Sequence, residues 1–180
     1  MHQTKLAARD LCYIAIGAAL ITVCSWLSVP ASVPFTLQSF AVCLIAALLG
    51  LRRGTFSVLI YMLLGAAGLP VFSGFKGGLG TLLGATGGYI LGFLFVALAV
   101  GFAADSFPGR KLPLALGMLL GMLLCYTCGT AWFIAVYSRS SGAIGVLSAL
   151  SLCVFPFLLP DALKCALALV LALRLRPFIR

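Results

Sequence analysis

Asp161 and Lys164 stand three residues apart at the head of an apolar run from Ala162 to Leu173. On a helix that spacing puts both side chains on one face, close enough to pair or to grip the same ligand. Asp161 is one of only three acidic residues, the others being Asp10 and Asp105. An ionised side chain at the centre of a membrane segment costs roughly 2.5–3.5 kcal/mol, so one retained there marks a substrate or ion path. A plainer role is also open, in which Asp161 caps its helix and Lys164 snorkels to lipid head groups. Pro160 suits a first helical turn, since the N–H it lacks would have no partner there. The pair is therefore expected near one end of a membrane helix.

The elements that position this pair must be membrane helices. Hydrophobic residues make up 63% of the 180 positions and charged residues 8%, against roughly a quarter charged in a soluble domain. A bilayer core of roughly 30 Å needs about 20 apolar residues per helix, so the chain has room for about six short helices and no soluble catalytic domain. The apolar runs have helical length, which excludes the alternating strands of an outer-membrane barrel. The net charge of +9 does not indicate nucleic acid, because basic residues sit singly or in pairs between apolar runs and no basic patch is interleaved with aromatics.

Other chemistries find little support. The seven cysteines fall in apolar runs and read as small membrane residues rather than disulfides or metal ligands. Cys125 and Cys128 have C-x-x-C spacing, but there is no second cysteine pair and the lone histidine is His2. Gly78-x-Gly80 with Gly84 lacks the spacing of a nucleotide fingerprint, and no G-K-[ST] is present for ATP. An intramembrane hydrolase would need a nucleophile with a base or a metal site, and neither can be assembled from these residues. No enzyme, cofactor or metal is expected.

Helices are predicted over about 11–29, 37–50, 55–67, 84–103, 114–137 and 161–175. Ser28-Val29-Pro30-Ala31-Ser32 resembles a cleavage site, but the run before it is long for a leader, so a retained first helix is expected. Along that helix Ala8, Cys12, Ala15 and Ala19 form a small-residue stripe, suited to close approach of another helix or to packing in its own bundle. A basic turn is predicted at Arg52-Arg53-Gly54. The glycine-rich stretch from Gly65 to Gly92 should be a turn-laden loop and then a helix whose Gly84, Gly88 and Gly92 make a smooth packing face. Residues 143–159, interrupted by Pro156, read as a short helix and loop folded back over the bundle, covered by protein or lining a cavity. With six spans, Lys5, Arg9, Arg52, Arg53, Arg110, Lys111, Arg174, Arg176 and Arg180 share one side, and only Lys76 and Arg139 the other. The positive-inside rule then puts both termini in the cytoplasm. The Asp161 end, the first loop and the glycine-rich loop meet at the outer face. One carboxylate, one ammonium and apolar walls there fit a small, mostly apolar molecule with a few hydrogen-bonding groups.

Three segments carry a family resemblance: Tyr61 to Phe72 (YMLLGAAGLPVF), Gly84 to Tyr89 (GATGGY), and Pro156 to Asp161 (PFLLPD) with Lys164. Together and in this order they resemble the BioY biotin-transporter family, with Ala85 where a proline is usual and Leu159-Pro160-Asp161 where Pro-Gly-Asp is more frequent. The resemblance implies a substrate-binding (S) component of an energy-coupling factor (ECF) transporter in the cytoplasmic membrane. Its six-helix bundle would bind biotin near the outer face and work with a transmembrane coupling (T) protein and two ATPase subunits. Asp161 and Lys164 would be the polar ligands. A ureido group offers two N–H donors to a carboxylate and a C=O acceptor to an ammonium, while Lys164 could instead meet the valerate carboxylate. Tyr89 and Trp132 would be apolar walls, and Thr36, Gln38 and Lys76-Gly77-Gly78 loop contacts. The stripe at Ala8, Cys12, Ala15 and Ala19 would face the T protein. Two alternatives stay within transport: an S component for another vitamin, or an autonomous biotin facilitator.

Overall fold

A computed structural model describes residues 7–29, 35–142 and 144–179. Lys5, Arg180 and the predicted first-loop segment 30–34 lie outside the described residues. Among the described residues the regular structure is helical apart from one tiny ladder. Helix α1 is Ala8–Trp26, followed by β1 (Ser28–Val29) and β2 (Phe35–Thr36), α2 (Gln38–Ala66), a 3-10 turn at Ser73–Phe75, and α3 (Leu79–Leu82). Then come α4 (Gly87–Ser106), α5 (Lys111–Ser141), α6 (Val146–Cys153) and α7 (Phe155–Ile179). Five of these, α1, α2, α4, α5 and α7, are long and apolar enough to cross a membrane.

Helix α2 is a hairpin rather than a rod. Gly50 has φ 78° and ψ −173°, a conformation that costs a glycine little and any other residue much. In a straight helix residues 46 and 54 would be about 12 Å apart, yet a Cβ added to Gly54 would lie 2.8 Å from the Ala46 Cα. Gln38 likewise donates to the Tyr61 hydroxyl at 2.7 Å, across a span that a straight helix would stretch to about 35 Å. Residues 38–49 and 51–66 are therefore antiparallel arms. The reversal predicted at Arg52-Arg53-Gly54 is corrected to Gly50, and both arginines sit in the first turn of the second arm. The cause is distant in sequence: Asp105, near the end of α4, accepts the Leu51 N–H at 2.8 Å and so caps that arm.

The first arm of α2 is the centre of the bundle, with Ala41 to Leu48 all buried. Around it pack α1, through Ala18 and Ile21, and α4, through Val96, Ala97 and Val100. Helix α5 lies against α4 at small residues, where Gly88 meets the Trp132 Cβ and Gly92 meets Cys125. Gly84 itself precedes α4, which starts at Gly87 rather than 84.

The end of the chain differs most from expectation. The stretch 143–159 is not wholly a folded-back segment: α6 occupies 146–153, and α7 begins at Phe155 with Pro160 inside it. Proline removes one hydrogen bond from the ladder, but a membrane leaves the remaining backbone groups no partner except the helix, so the helix continues through it. Asp161 is consequently more than a turn inside α7, not its cap. Helix α6 packs in a small apolar cluster around Phe133, Ala149, Cys153 and Val154, joined to the main core through the partly buried Tyr89 and Tyr126.

The two ends of the bundle carry different chemistry. One gathers the Gly50 turn, Asp10, Arg53, Asp105 and Arg176, with Arg53 and Asp10 paired at 2.6 Å. The other gathers the β-ladder, the glycine-rich loop, α6 and the Asp161 side of α7. There the glycine-rich loop is tied to α1: Trp26 donates to the Pro70 carbonyl at 2.8 Å and stacks on Phe75 at 5.1 Å.

Candidate functional site

The site is built on α7, α5 and the join between the ladder and α2. Asp161 and Lys164 are 8% and 7% exposed, so they point into the protein and not toward lipid head groups. Their ion pair measures 2.8 Å between Lys164 Nζ and Asp161 Oδ1. Ser39, at the start of α2, donates to the same carboxylate oxygen at 2.9 Å, and the Tyr126 hydroxyl of α5 donates to Oδ2 at 2.6 Å. Lys164 also donates to the Thr36 carbonyl at 2.6 Å, and its ammonium lies 4.0 Å from the centre of the Phe35 ring. The antiparallel pairing of Ser28 with Thr36 and Val29 with Phe35 aims that carbonyl and that ring. Each charge is thus both paired and hydrogen-bonded, the condition for keeping it buried.

A cavity of about 70 Å³ lies beside the pair. Thr36, Ser39, Asp161 and Lys164 form its polar side, and Tyr89, Phe93, Met122, Tyr126 and Phe157 its apolar side. Phe35 stacks on Phe157 with centroids 6.2 Å apart. The arrangement can accept N–H donors at one edge, donate from an ammonium at the next, and cover both with aromatic rings. Among the described residues there is no cluster of His, Cys, Asp and Glu able to hold a metal.

Of the residues singled out from sequence, Asp161, Lys164, Thr36 and Tyr89 come together at this cavity. Tyr89 is held by a hydrogen bond shared between its hydroxyl and that of Thr130, at 3.0 Å. Trp132 is elsewhere: its indole N–H donates to the Gly84 carbonyl at 2.9 Å, which locks α5 to the start of α4. Gln38 is buried and spends its amide on Tyr61. Lys76 is exposed, with its backbone bridged to Phe72. Gly77 packs against the Leu69 carbonyl, and Gly78 donates to the Gly65 carbonyl at 2.7 Å. None of these last five lines the cavity. Sequence reading missed Ser39, Phe35, Phe157 and the part played by Tyr126, because nothing along the chain links them to Asp161. Ala8, Cys12, Ala15 and Ala19 are all exposed along α1.

A family model described as the BioY family matches residues 1–180. The biotin transporter BioY of Thermotoga maritima is 40% identical over 169 residues, covering 93% of this chain and 96% of that protein. A probable biotin transporter BioY of Pyrococcus horikoshii is 38% identical over 172 residues, covering 95% and 98%. A crystal structure of the S-component for biotin from an ECF-type ABC transporter superposes with a TM-score of 0.83 at 29% identity, covering 94% of this chain and 91% of that one.

Proposed function

The chain belongs to the BioY family, and from that premise we propose that it takes up biotin across the membrane as the substrate-capturing subunit of an ECF-type ABC transporter. The observation that carries the reading to particular residues is the inward-facing Asp161–Lys164 pair, buried at 2.8 Å beside a cavity with aromatic walls. Asp161 accepts the ureido N–H groups. Lys164 donates either to the ureido carbonyl or to the valerate carboxylate. Thr36 and Tyr89 complete the lining.

A drug-sized ligand occupies a pocket of roughly 300 Å³ or more, so about 70 Å³ must widen on capture. Helix α6 is the part that yields, because it is held by a small cluster that meets the main core at the partly buried Tyr89 and Tyr126. Phe157 of α7, which packs against that cluster and stacks on Phe35, moves aside with it and frees the Phe35 ring that lies over Lys164.

The whole chain works as one membrane domain. Five long helices, with α2 counted as two, give six crossings, and this puts Arg9, Arg52, Arg53, Arg110, Lys111, Arg174 and Arg176 on one side. That side is the cytoplasm by the positive-inside rule, with both termini there and the biotin site toward the outer face of the cytoplasmic membrane. The exposed stripe Ala8, Cys12, Ala15 and Ala19 receives the T protein, which couples the subunit to two ATPase subunits. Its small side chains let a second helix backbone come close where lipid removes the hydrophobic drive.

Titrating the purified protein with biotin, riboflavin and thiamine tests the substrate: biotin should bind and the other two should not. Binding of riboflavin or thiamine in its place would reassign the vitamin. Vesicles carrying this subunit without ATPase partners should not accumulate biotin, and accumulation there would make it autonomous.

A further inference from the structure

Tyr126 faces two spaces at once. On one side it lines the small polar cavity with Met122 and Asp161. On the other, the same three residues form part of a larger apolar cleft, about 410 Å³, between α5 and α7. The cleft follows residues 115, 118, 119, 122, 123 and 126 of α5 and 158, 161, 162, 165, 166 and 169 of α7, one helical face each. It is roughly 16 Å long at about 1.5 Å per residue, close to half of a hydrocarbon core of about 30 Å. Leu119, Leu123 and Leu158 on its walls are 58%, 52% and 49% exposed, so in the bilayer its mouth opens to acyl chains. A carboxylate in contact with acyl chains would lose its hydrogen bonding; Asp161 sits at the boundary of the two spaces together with Tyr126 and Met122, and the Tyr126 hydroxyl keeps its Oδ2 occupied there.

We propose that Tyr126 is the positioning residue of the biotin site, acting as a partition. Its hydroxyl, 2.6 Å from Asp161 Oδ2, fixes the carboxylate plane, while Lys164 and Ser39 hold Oδ1 at 2.8 and 2.9 Å. The carboxylate is thereby turned so that its remaining lone pairs face the cavity. The ring, beside Met122, forms the wall shared by that cavity and the lipid-facing cleft. The inference rests on the assignment of Asp161 to biotin, and it separates two functions in one side chain, the hydroxyl and the ring.

Two substitutions separate them. Tyr126→Phe keeps the ring and removes the donor to a buried charge, so biotin should bind about tenfold more weakly, equally in maltoside detergents of octyl, decyl and dodecyl tail. Tyr126→Ala removes the partition, so its affinity should also change at least threefold from the shortest to the longest tail, as detergent enters from the cleft. The wild-type protein should be insensitive to tail length. Calorimetric titration reads both effects on the folded protein; the ligand-free melting temperature of Tyr126→Phe should fall by a few degrees, since a hydrogen bond to a buried carboxylate is lost. Unchanged affinity in Tyr126→Phe would overturn the hydroxyl's role, and a tail-independent Tyr126→Ala would overturn the ring's. Asp161→Asn measured alongside keeps the two levels apart: full affinity there removes the biotin-site assignment itself, whereas a loss there with an unaffected Tyr126→Phe removes only the tyrosine.

Discussion

Helix α7 carries two ion pairs, one at each end of the bundle, and they differ in what holds the carboxylate. Lys164 meets Asp161 at 2.8 Å and Arg176 meets Asp105 at 3.0 Å, with both cations buried. At the Arg176 end the contacts reach backbone: Asp105 accepts the Leu51 N–H, and Arg176 donates to the Ala104 carbonyl. Those bonds join α7, the end of α4 and the turn of the α2 hairpin, and they cannot be exchanged without moving helices. At the Lys164 end the cation also reaches backbone, at the Thr36 carbonyl, but the Asp161 carboxylate is held by the side chains of Ser39, Tyr126 and Lys164, which can rotate to admit a ligand. Asp105 is also 39% exposed in its side chain against 10% for Asp161. Burial and pairing alone do not mark a binding site; replaceable partners beside a cavity do.

That contrast is most strongly tested by exchanging one carboxylate at a time. Asp161→Asn or Lys164→Ala should weaken biotin binding at least tenfold while the protein still purifies as a monodisperse bundle. Asp105→Asn should leave the affinity within about twofold and lower the melting temperature, through loss of charge-assisted hydrogen bonds each contributing about 1.5–3 kcal/mol when buried and less at this exposure. If Asp105→Asn abolished binding, or Asp161→Asn only lowered the melting temperature, the division of labour between the two ends would fail.

A smaller effect sharpens the structural half of the comparison. Gly50→Ala would force a side chain into φ 78° and place its Cβ 2.4 Å from Asp105 Oδ1. The backbone term alone is about 1–3 kcal/mol, and the carboxylate must also leave the Leu51 N–H. Thermal melting should fall by several degrees, with biotin affinity of the folded fraction unchanged. A stable Gly50→Ala would mean that the hairpin does not depend on this capped turn.

Much of this was legible along the chain, for reasons that differ by residue. Asp161 and Lys164 stand out because charge is so rare in apolar sequence, and a spacing of three needs only helix geometry to become a pair. The hairpin was legible as two short apolar runs, but its turn was placed two to four residues too late because Arg52-Arg53-Gly54 looks more like a loop than Gly50 does. What selects Gly50 is Asp105, more than fifty residues away, and no local pattern contains it. Pro160 misled in the opposite sense: a residue that ends helices in water is carried inside one where lipid offers the backbone no other partner. Ser39 and Tyr126 were invisible as ligands of Asp161 because serine and tyrosine in a membrane helix have many ordinary uses.

Trp132 gives the smallest effect and bears on that last difficulty. A tryptophan near a binding pocket reads from sequence as a wall, yet its N–H is spent on the Gly84 carbonyl at 2.9 Å and its Cβ rests against Gly88. It acts as a strut between α5 and the chain around the beginning of α4, away from the cavity lining. Trp132→Phe keeps the packing and removes one neutral hydrogen bond, a loss of about 0.5–1.5 kcal/mol. The melting temperature should drop slightly, with biotin affinity within twofold of wild type by calorimetry. A tenfold loss of affinity with no change in melting would instead return Trp132 to the cavity wall, and would show that α5 rotates on capture to bring it there.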